Sequence, residues 1–110
     1  MLILEISSMD ELYEYDPDYV ISPACSLQEW LEYNDFDLEE VVDNVDHVKH
    51  YARAMLQEVL DLKPLGLKHA AILEDVTGIS SQFWLNFEQN YRVGLEAGKY
   101  DMSTDILRRN

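Results

Sequence analysis

The sequence is poor in the residues that build disulfides, metal knuckles and tight turns. Its 110 residues include one cysteine, three prolines and four glycines. A single cysteine, Cys25, excludes an internal disulfide and any paired-cysteine metal site. Cys25 lies near a predicted helix start, where a thiolate is favoured, but an ordinary semi-buried cysteine is the commoner case and is what we expect.

Long apolar runs are also missing. No stretch approaches the length of a membrane span, and the initial MLILEI is too short for a secretion signal and lacks its basic flank. The length fits one domain, with a modest core built from the 47% of residues that are hydrophobic. We therefore expect a cytoplasmic, single-domain protein that does not bind membranes.

Positive charge is scarce and unevenly placed. Eight Lys and Arg stand against 22 Asp and Glu, which gives a net charge of −14. Residues 1–46 hold 14 acidic residues and no Lys or Arg, whereas residues 47–69 hold four basic residues and two acidic ones. Overall acidity argues against nucleic acid, because Lys and Arg neutralise the phosphate backbone. One basic window in an acidic shell instead favours a surface that selects its partner.

Catalytic and metal-binding patterns are absent. The sequence has no Gly-rich phosphate loop, HExxH or Ser-His-Asp order. The acidic pair Glu39 and Glu40 has the pattern of a solvated face rather than of an acid–base site. His47 and His50 have metal-ligand spacing, with His69 as a third histidine, but no fourth ligand is placed to complete a site. We predict no enzyme activity, no cofactor and no metal.

Apolar periodicity predicts an all-α fold of five helices. The first is expected to begin with a capping box formed by Ser26 and Glu29. Gly78 is the expected C-cap of the fourth helix, and Ser80 the N-cap of the fifth. The predicted helices cover about residues 26–34, 37–45, 47–60, 67–77 and 81–97. The predicted segments are an acidic N-terminal arm over 1–20, the helical domain over 21–98, and a C-terminal short helix or tail over 99–110.

Two stretches at the ends of this pattern resemble one family. ISPACSLQEWLE, residues 21–32, is similar to the opening Ile-x-Pro-Gly-x-x-Leu-x-Glu-x-Leu of HigA-type antitoxins. GISSQFWLNFEQNY, residues 78–91, is similar to that family's closing helix, a Gly followed by Phe-Trp-Leu-Asn-Leu-Gln-x-Asn-Tyr. The resemblance covers about residues 21–93 and implies a lambda-repressor-like helix-turn-helix domain of the Xre type. It further implies a homodimeric transcription regulator on operator DNA, and the antitoxin of a toxin–antitoxin pair whose partner is a small basic toxin.

The middle of the chain departs from the family pattern. Residues 44–47 form the predicted turn without a glycine, and Val48, Lys49 and His50 replace a Ser-Arg pair. An alternative therefore stays open: a degenerate helix-turn-helix protein that acts only by protein–protein binding, as a toxin neutraliser or acidic decoy, without DNA.

The third predicted helix carries the expected DNA contacts. Lys49, Arg53 and Gln57 recur at i, i+4 and i+8, with His50 beside them. Arg pairs with guanine and Gln with adenine in the major groove, and Lys suits phosphate. The alternative is that these residues are only the exposed face of an amphipathic helix. The opposite, buried side of this helix is predicted to carry Val48, Ala52, Met55, Leu56 and Val59.

Four aromatic residues of the fifth helix, Phe83, Trp84, Phe87 and Tyr91, are more than a small domain readily buries. We expect some of them in the core and the others at a dimer or partner interface, because aromatic anchors dominate such contacts. The alternative is that all four belong to the core.

Overall fold

A computed structural model describes residues 18–43 and 48–108 of the chain. Its helices are α1 (Pro23–Asn34), α2 (Leu38–Val42), α3 (Lys49–Leu60), α4 (Leu67–Thr77), α5 (Ser81–Glu96) and α6 (Ser103–Arg108). Strand β1 (Tyr19–Val20) pairs in parallel with β2 (Tyr100–Asp101). The predominantly helical prediction is confirmed. The strand pair was not predicted, because two-residue strands carry no alternation pattern. None of the helices in these two ranges is long and apolar enough to cross a membrane.

Helix α1 begins earlier than predicted. Ser22 is its N-cap, and the Ser22 hydroxyl accepts a hydrogen bond of 3.0 Å from the Ala24 backbone N–H. Pro23 occupies the first helical position, where its missing N–H costs nothing and its fixed φ suits the helix. The predicted capping box of Ser26 and Glu29 is therefore wrong, because both residues lie inside a helix that a better cap has already started.

Helix α2 is short and strongly capped. Asp37 accepts a hydrogen bond from the Glu40 backbone at 2.9 Å, and Glu40 accepts one from the Asp37 backbone at 2.9 Å. Helix α2 ends at Val42 rather than at residue 45, and the predicted turn over 44–47 lies outside the described residues. His47, the predicted start of the third helix, lies there too.

Helix α3 buries one side as predicted, with one exception. Ala52, Leu56 and Val59 are buried, and Met55 is partly buried. Val48 is 66% exposed, so its predicted burial is wrong. The reason is that Val48 precedes the helix, as its N-cap, and so does not share the helical periodicity of the buried face.

Helices α4 and α5 follow their local signals closely. Gly78 ends α4 in the left-handed conformation, with φ 78°, which glycine adopts without steric cost. The Ser80 hydroxyl accepts a 3.2 Å hydrogen bond from the Phe83 backbone N–H and caps α5. The predicted range of α4 and both caps are confirmed.

The core lies among α1, α3, α4 and α5. Trp84 of α5 is 1% exposed and is the largest of the fully buried side chains among the described residues. Helix α5 packs on α4 and α1, and α3 packs on α1, α2 and α4. The other buried apolar members of this cluster are Ala24, Leu27, Leu31, Val41, Val42, Ala52, Leu56, Val59, Leu65, Ala70, Ile72 and Leu73.

Residues 100–108 pack against the start of α1. The fully buried Ser103 hydroxyl accepts a 2.7 Å hydrogen bond from the Ser22 backbone N–H at the start of α1. The Tyr91 hydroxyl donates to the Asp101 carboxylate at 2.5 Å, and the Ser103 backbone N–H donates to its other oxygen at 2.9 Å. This polar cluster joins α5, β2 and α6 to the first helix.

Candidate functional site

The outward face of α3 carries the polar residues that the sequence singled out. Lys49 and His50 are exposed, whereas Arg53 and Gln57 are partly exposed. Ala54 is also exposed and lies between His50 and Gln57 along the helix. A small residue at that position lets another molecule approach the helix backbone closely. Sequence reasoning did not single out Ala54, because an alanine in a polar stripe carries no chemical signal of its own.

Both cationic residues of this face have carboxylate neighbours. The Lys49 ammonium lies 3.1 Å from the Asp43 carboxylate, just beyond α2, and the Arg53 guanidinium pairs with Glu39 of α2. Gln57 donates a 3.1 Å hydrogen bond to Asp61. Such exposed ion pairs contribute about 0–1 kcal/mol each, so a phosphate can compete for the same cations. Within 37–43 and 48–60 there are five acidic and two basic residues, so this region is locally negative.

The predicted aromatic interface divides into buried and accessible residues. Trp84 is 1% exposed and Tyr91 is 3% exposed, so neither ring is available to another molecule. The reason is that both face the helices and strand on which α5 packs. Phe83 is 46% exposed and Phe87 is half-buried. Of the four candidate interface residues, Trp84 and Tyr91 therefore belong to the core. The accessible candidates are Phe83 and Phe87, whose rings meet edge to face with centroids 5.8 Å apart.

Three cavities adjoin around these two phenylalanines, and together we call them the α1–α5 cleft. Their volumes are about 370, 350 and 360 Å³. Phe87 and Ile21 line the first and second cavities, Ser26 and Glu29 the second and third, and Phe83 the first and third. Because each pair of cavities shares lining residues, the three lie side by side.

The floor and edges of the cleft differ in chemistry. Trp30 and the 88% exposed Tyr33 extend the aromatic surface along α1. Glu29 and Glu32 stand at its acidic edge. Asn86 and Asn90 supply carboxamides on α5. Among the side chains that the structure describes, no Lys or Arg lines any of these three cavities.

The only arginine of α5 points to another side of the helix. Arg92 donates a 2.7 Å hydrogen bond to the buried Glu88, and Glu88 also accepts one of 3.2 Å from the Leu65 backbone N–H. Glu88 thus ties α5 to the loop before α4. Sequence reasoning missed this role, because a glutamate in a polar helix segment looks solvated.

The two histidines that the structure describes, His50 and His69, have separate surroundings. His50 is exposed on α3, and His69 lies 2.8 Å from Glu58, with its other ring nitrogen accepting from the Gly66 backbone. His47 lies outside the described residues. Among the residues that the structure describes, no group of three His, Cys, Asp or Glu side chains is arranged to hold a metal ion.

Cys25 is a buried thiol beside the polar cluster of residues 100–108. Its Sγ lies 3.8 Å from the Ser103 carbonyl oxygen, to which it donates a weak hydrogen bond. Burial is the main reason that the pKa of Cys25 is raised above its ordinary value. A raised pKa favours the unreactive thiol form.

Tyr91 and Asp101 perturb each other's protonation. Burial, followed by the hydrogen bond and charge of Asp101, raises the pKa of Tyr91 to about 12. Burial alone would raise the pKa of Asp101, but hydrogen bonds from Tyr91 and Ser103 outweigh it, and that pKa lies below its ordinary value. The pair lies beside the cleft and serves to hold α5 against β2.

Comparison of the chain with protein-family models, with curated proteins and with solved structures gave no match.

Proposed function

We propose that the chain is a HigA-like transcription regulator that binds operator DNA through the outward face of α3. The observation that carries the proposal is the arrangement of Lys49, His50 and Arg53 around the small, exposed Ala54. The major groove admits an α-helix, and polar side chains on the inserted face reach phosphates and base edges. The short, capped α2 packs against α3, as the first helix of a helix-turn-helix pair does.

The proposal includes a homodimer and a partner toxin. One α3 face offers too few cations to hold DNA against a net charge of −14. Two copies related by a two-fold axis place two such helices in successive major grooves, about one helical turn apart. The resemblance to HigA-type antitoxins supports the further role of neutralising a small basic toxin.

The test is a gel-shift series with the DNA upstream of the protein's own gene. We expect a shift at low salt and micromolar protein, lost in the Lys49→Ala, Arg53→Ala double variant. Lys63→Ala with Lys68→Ala removes the same charge outside α3 and should retain most of the binding. Circular dichroism checks that each variant keeps its helices. Absence of any shift by the native chain at low salt contradicts the proposal.

A second candidate function is protein binding without DNA, and a separate observation favours it. Lys49 and Arg53 are both paired with carboxylates of the α2 region, so the face proposed for DNA is already neutralised within the chain. On this alternative, the helix-turn-helix scaffold neutralises a toxin or acts as an acidic decoy for a basic protein.

Co-expression combined with the gel shift distinguishes the two candidates, because only the second predicts a bound partner without any DNA shift. A small basic protein encoded beside this chain should co-purify with it at a constant ratio in high salt if the second candidate is correct. The Lys49→Ala, Arg53→Ala variant should retain that partner. A chain that shifts DNA but stays alone in this experiment contradicts the second candidate.

A further inference from the structure

We infer that the α1–α5 cleft docks an extended segment of a partner protein that combines large apolar side chains with Lys or Arg. The inference deepens the proposed binding of a small basic protein, on which it rests, by naming the surface and the kind of segment that would be bound. Because this surface lies outside α3, it does not depend on DNA binding.

The apolar requirement follows from the exposed rings of the cleft. Phe83, Tyr33 and Ile79 are 46%, 88% and 36% exposed. They line two of three adjoining cavities, each at the lower end of the size range of ligand pockets. Small cavities that adjoin one another suit a chain that inserts successive side chains better than one compact molecule. Exposed aromatic patches of this kind mark protein interaction sites.

The basic requirement follows from the charges around the cavities. Glu29 and Glu32 line the cleft, whereas no Lys or Arg lines it among the side chains described in 18–43 and 48–107. Arg92 is on the same helix as Phe83, but it donates a hydrogen bond to Glu88. Glu88 also accepts from the Leu65 backbone N–H, so this pair lies on the side of α5 that faces the loop before α4. A segment with Lys or Arg beside its apolar residues therefore finds complementary charge at the rim.

The same charges disfavour a second copy of this chain in the cleft. In a two-fold dimer built on this surface, both copies bring Glu29 and Glu32 to the same interface. Each copy also carries a net charge of −14. Like charges placed together across an interface oppose binding, so a basic partner fits better than self-association.

The carboxamides favour an extended partner. Asn86 and Asn90 are exposed one helical turn apart, and they line the same cavity as Phe83 and Phe87. Asn86 accepts a hydrogen bond from Gln82, which leaves its amide N–H groups able to donate. One turn is about 5.4 Å, and two residues of an extended chain span about 6.5 Å. Two carboxamides at this spacing can therefore bond alternate peptide groups of one strand.

The experiment is a selection of a phage-displayed library of random twelve-residue peptides on the native protein. We expect enriched peptides with apolar residues in alternate positions, flanked by Lys or Arg and free of Asp and Glu. A synthetic peptide of the enriched sequence is then titrated by fluorescence anisotropy. Its affinity should fall at least tenfold in Phe83→Ala and at least fivefold in Glu29→Gln with Glu32→Gln.

Matched variants separate this surface from others. Val93→Ala truncates another exposed apolar residue of α5 that lines none of the three cavities, and should leave the affinity unchanged. The Lys49→Ala, Arg53→Ala variant should also bind the peptide normally, so that failure here and failure of DNA binding are distinguishable. The glutamate variants are surface changes, and they keep the test valid even if Phe83→Ala lowers stability.

Three results would each overturn the inference. The first is a selection without enrichment over protein-free wells, and the second is an enriched set of acidic or uncharged peptides. The third is a native dimer in sedimentation velocity that Phe83→Ala dissociates, because a second copy would then occupy the cleft.

Discussion

The outward face of α3 and the α1–α5 cleft are both exposed, but they differ in their contacts with the rest of the chain. On α3, the side chains of Lys49 and Arg53 reach carboxylates of the α2 region. In the cleft, Phe83 and Tyr33 keep much of their ring surface in contact with solvent. The two cations of the α3 face are thus paired within the chain, whereas the rings of the cleft stay partly uncovered.

This difference separates two costs of binding. A partner of α3 must displace two weak ion pairs, which changes its affinity and its dependence on salt. A partner of the cleft displaces water from apolar rings, which is favourable. Competition with the ion pairs therefore limits binding at the α3 face, whereas the shape of the partner limits binding in the cleft.

The largest expected loss of stability comes from a core residue, and comparing it with a neighbouring cleft residue separates the two regions. Trp84→Ala should lower the free energy of unfolding by about 3–5 kcal/mol, because it removes a fully buried ring. Phe83→Ala, one residue away and 46% exposed, should cost much less. Urea denaturation followed by circular dichroism measures both. Equal losses would mean that Phe83 is a core residue rather than a cleft residue.

Trp84→Phe adds a control for the indole nitrogen. The Trp84 Nε1 atom is buried and has no hydrogen-bond partner within the residues that the structure describes. Trp84→Phe should therefore cost only the lost volume, and should be milder than Trp84→Ala.

The next effect concerns the wall of the cleft formed by β1. A Cβ at Gly94 would overlap Cγ1 of Val20, a β-branched side chain with little freedom to move. Gly94→Ala should lower the free energy of unfolding by about 1–3 kcal/mol, despite the better helix propensity of alanine. Adding Val20→Ala removes the obstructing methyl groups and should recover part of the loss in urea denaturation. A Gly94→Ala chain as stable as the native one would show that β1 does not pack closely on α5.

A pH-dependent effect tests the polar cluster beside the cleft. The pKa of Tyr91 is raised to about 12 in the folded chain, against about 10 in an unfolded one. The unfolded chain therefore loses this proton first, and stability falls as pH rises from about 10 to about 12, by up to about 1.4 kcal/mol per pH unit. Tyr91→Phe should flatten this part of the profile.

The control for that profile is Tyr33→Phe, which removes a hydroxyl from an 88% exposed ring. At the acid end the sign is reversed, since the pKa of Asp101 is lowered and its stabilising contribution is lost as pH falls below about 4. Identical profiles for the native chain and Tyr91→Phe above pH 10 would contradict the role of the pair.

The smallest effect on stability is expected on the α3 face. Glu39→Gln with Asp43→Asn should change the free energy of unfolding by about 1 kcal/mol or less, because both ion pairs are exposed. If α3 binds DNA, the released Lys49 and Arg53 should tighten binding about fivefold in gel shifts.

The charge-matched control for that variant is Asp18→Asn with Glu96→Gln, two exposed acids outside the α2–α3 region. It should tighten binding less than the Glu39→Gln, Asp43→Asn variant. Equal tightening would show that only net charge matters, and that the two ion pairs do not compete with DNA.

Much of the helical framework could be predicted from the sequence, because helix limits are set by nearby residues. The range of α4, the Gly78 end and the Ser80 start needed only local caps and periodicity. The start of α1 was misplaced because two capping serines, Ser22 and Ser26, lie four residues apart. Which of them caps the helix also depends on Ser103, whose hydroxyl binds the Ser22 backbone.

For the candidate surfaces, the residue types were predictable from the sequence, but their accessibility was not. The sequence by itself determined the polar stripe of α3 and the aromatic content of α5, since both follow from residue order along one helix. Only the tertiary structure decided that Trp84 and Tyr91 are buried while Phe83 is accessible, because burial depends on which elements pack on each side of α5. It also decided that Glu39 reaches Arg53, a contact between residues 14 positions apart that no local pattern encodes.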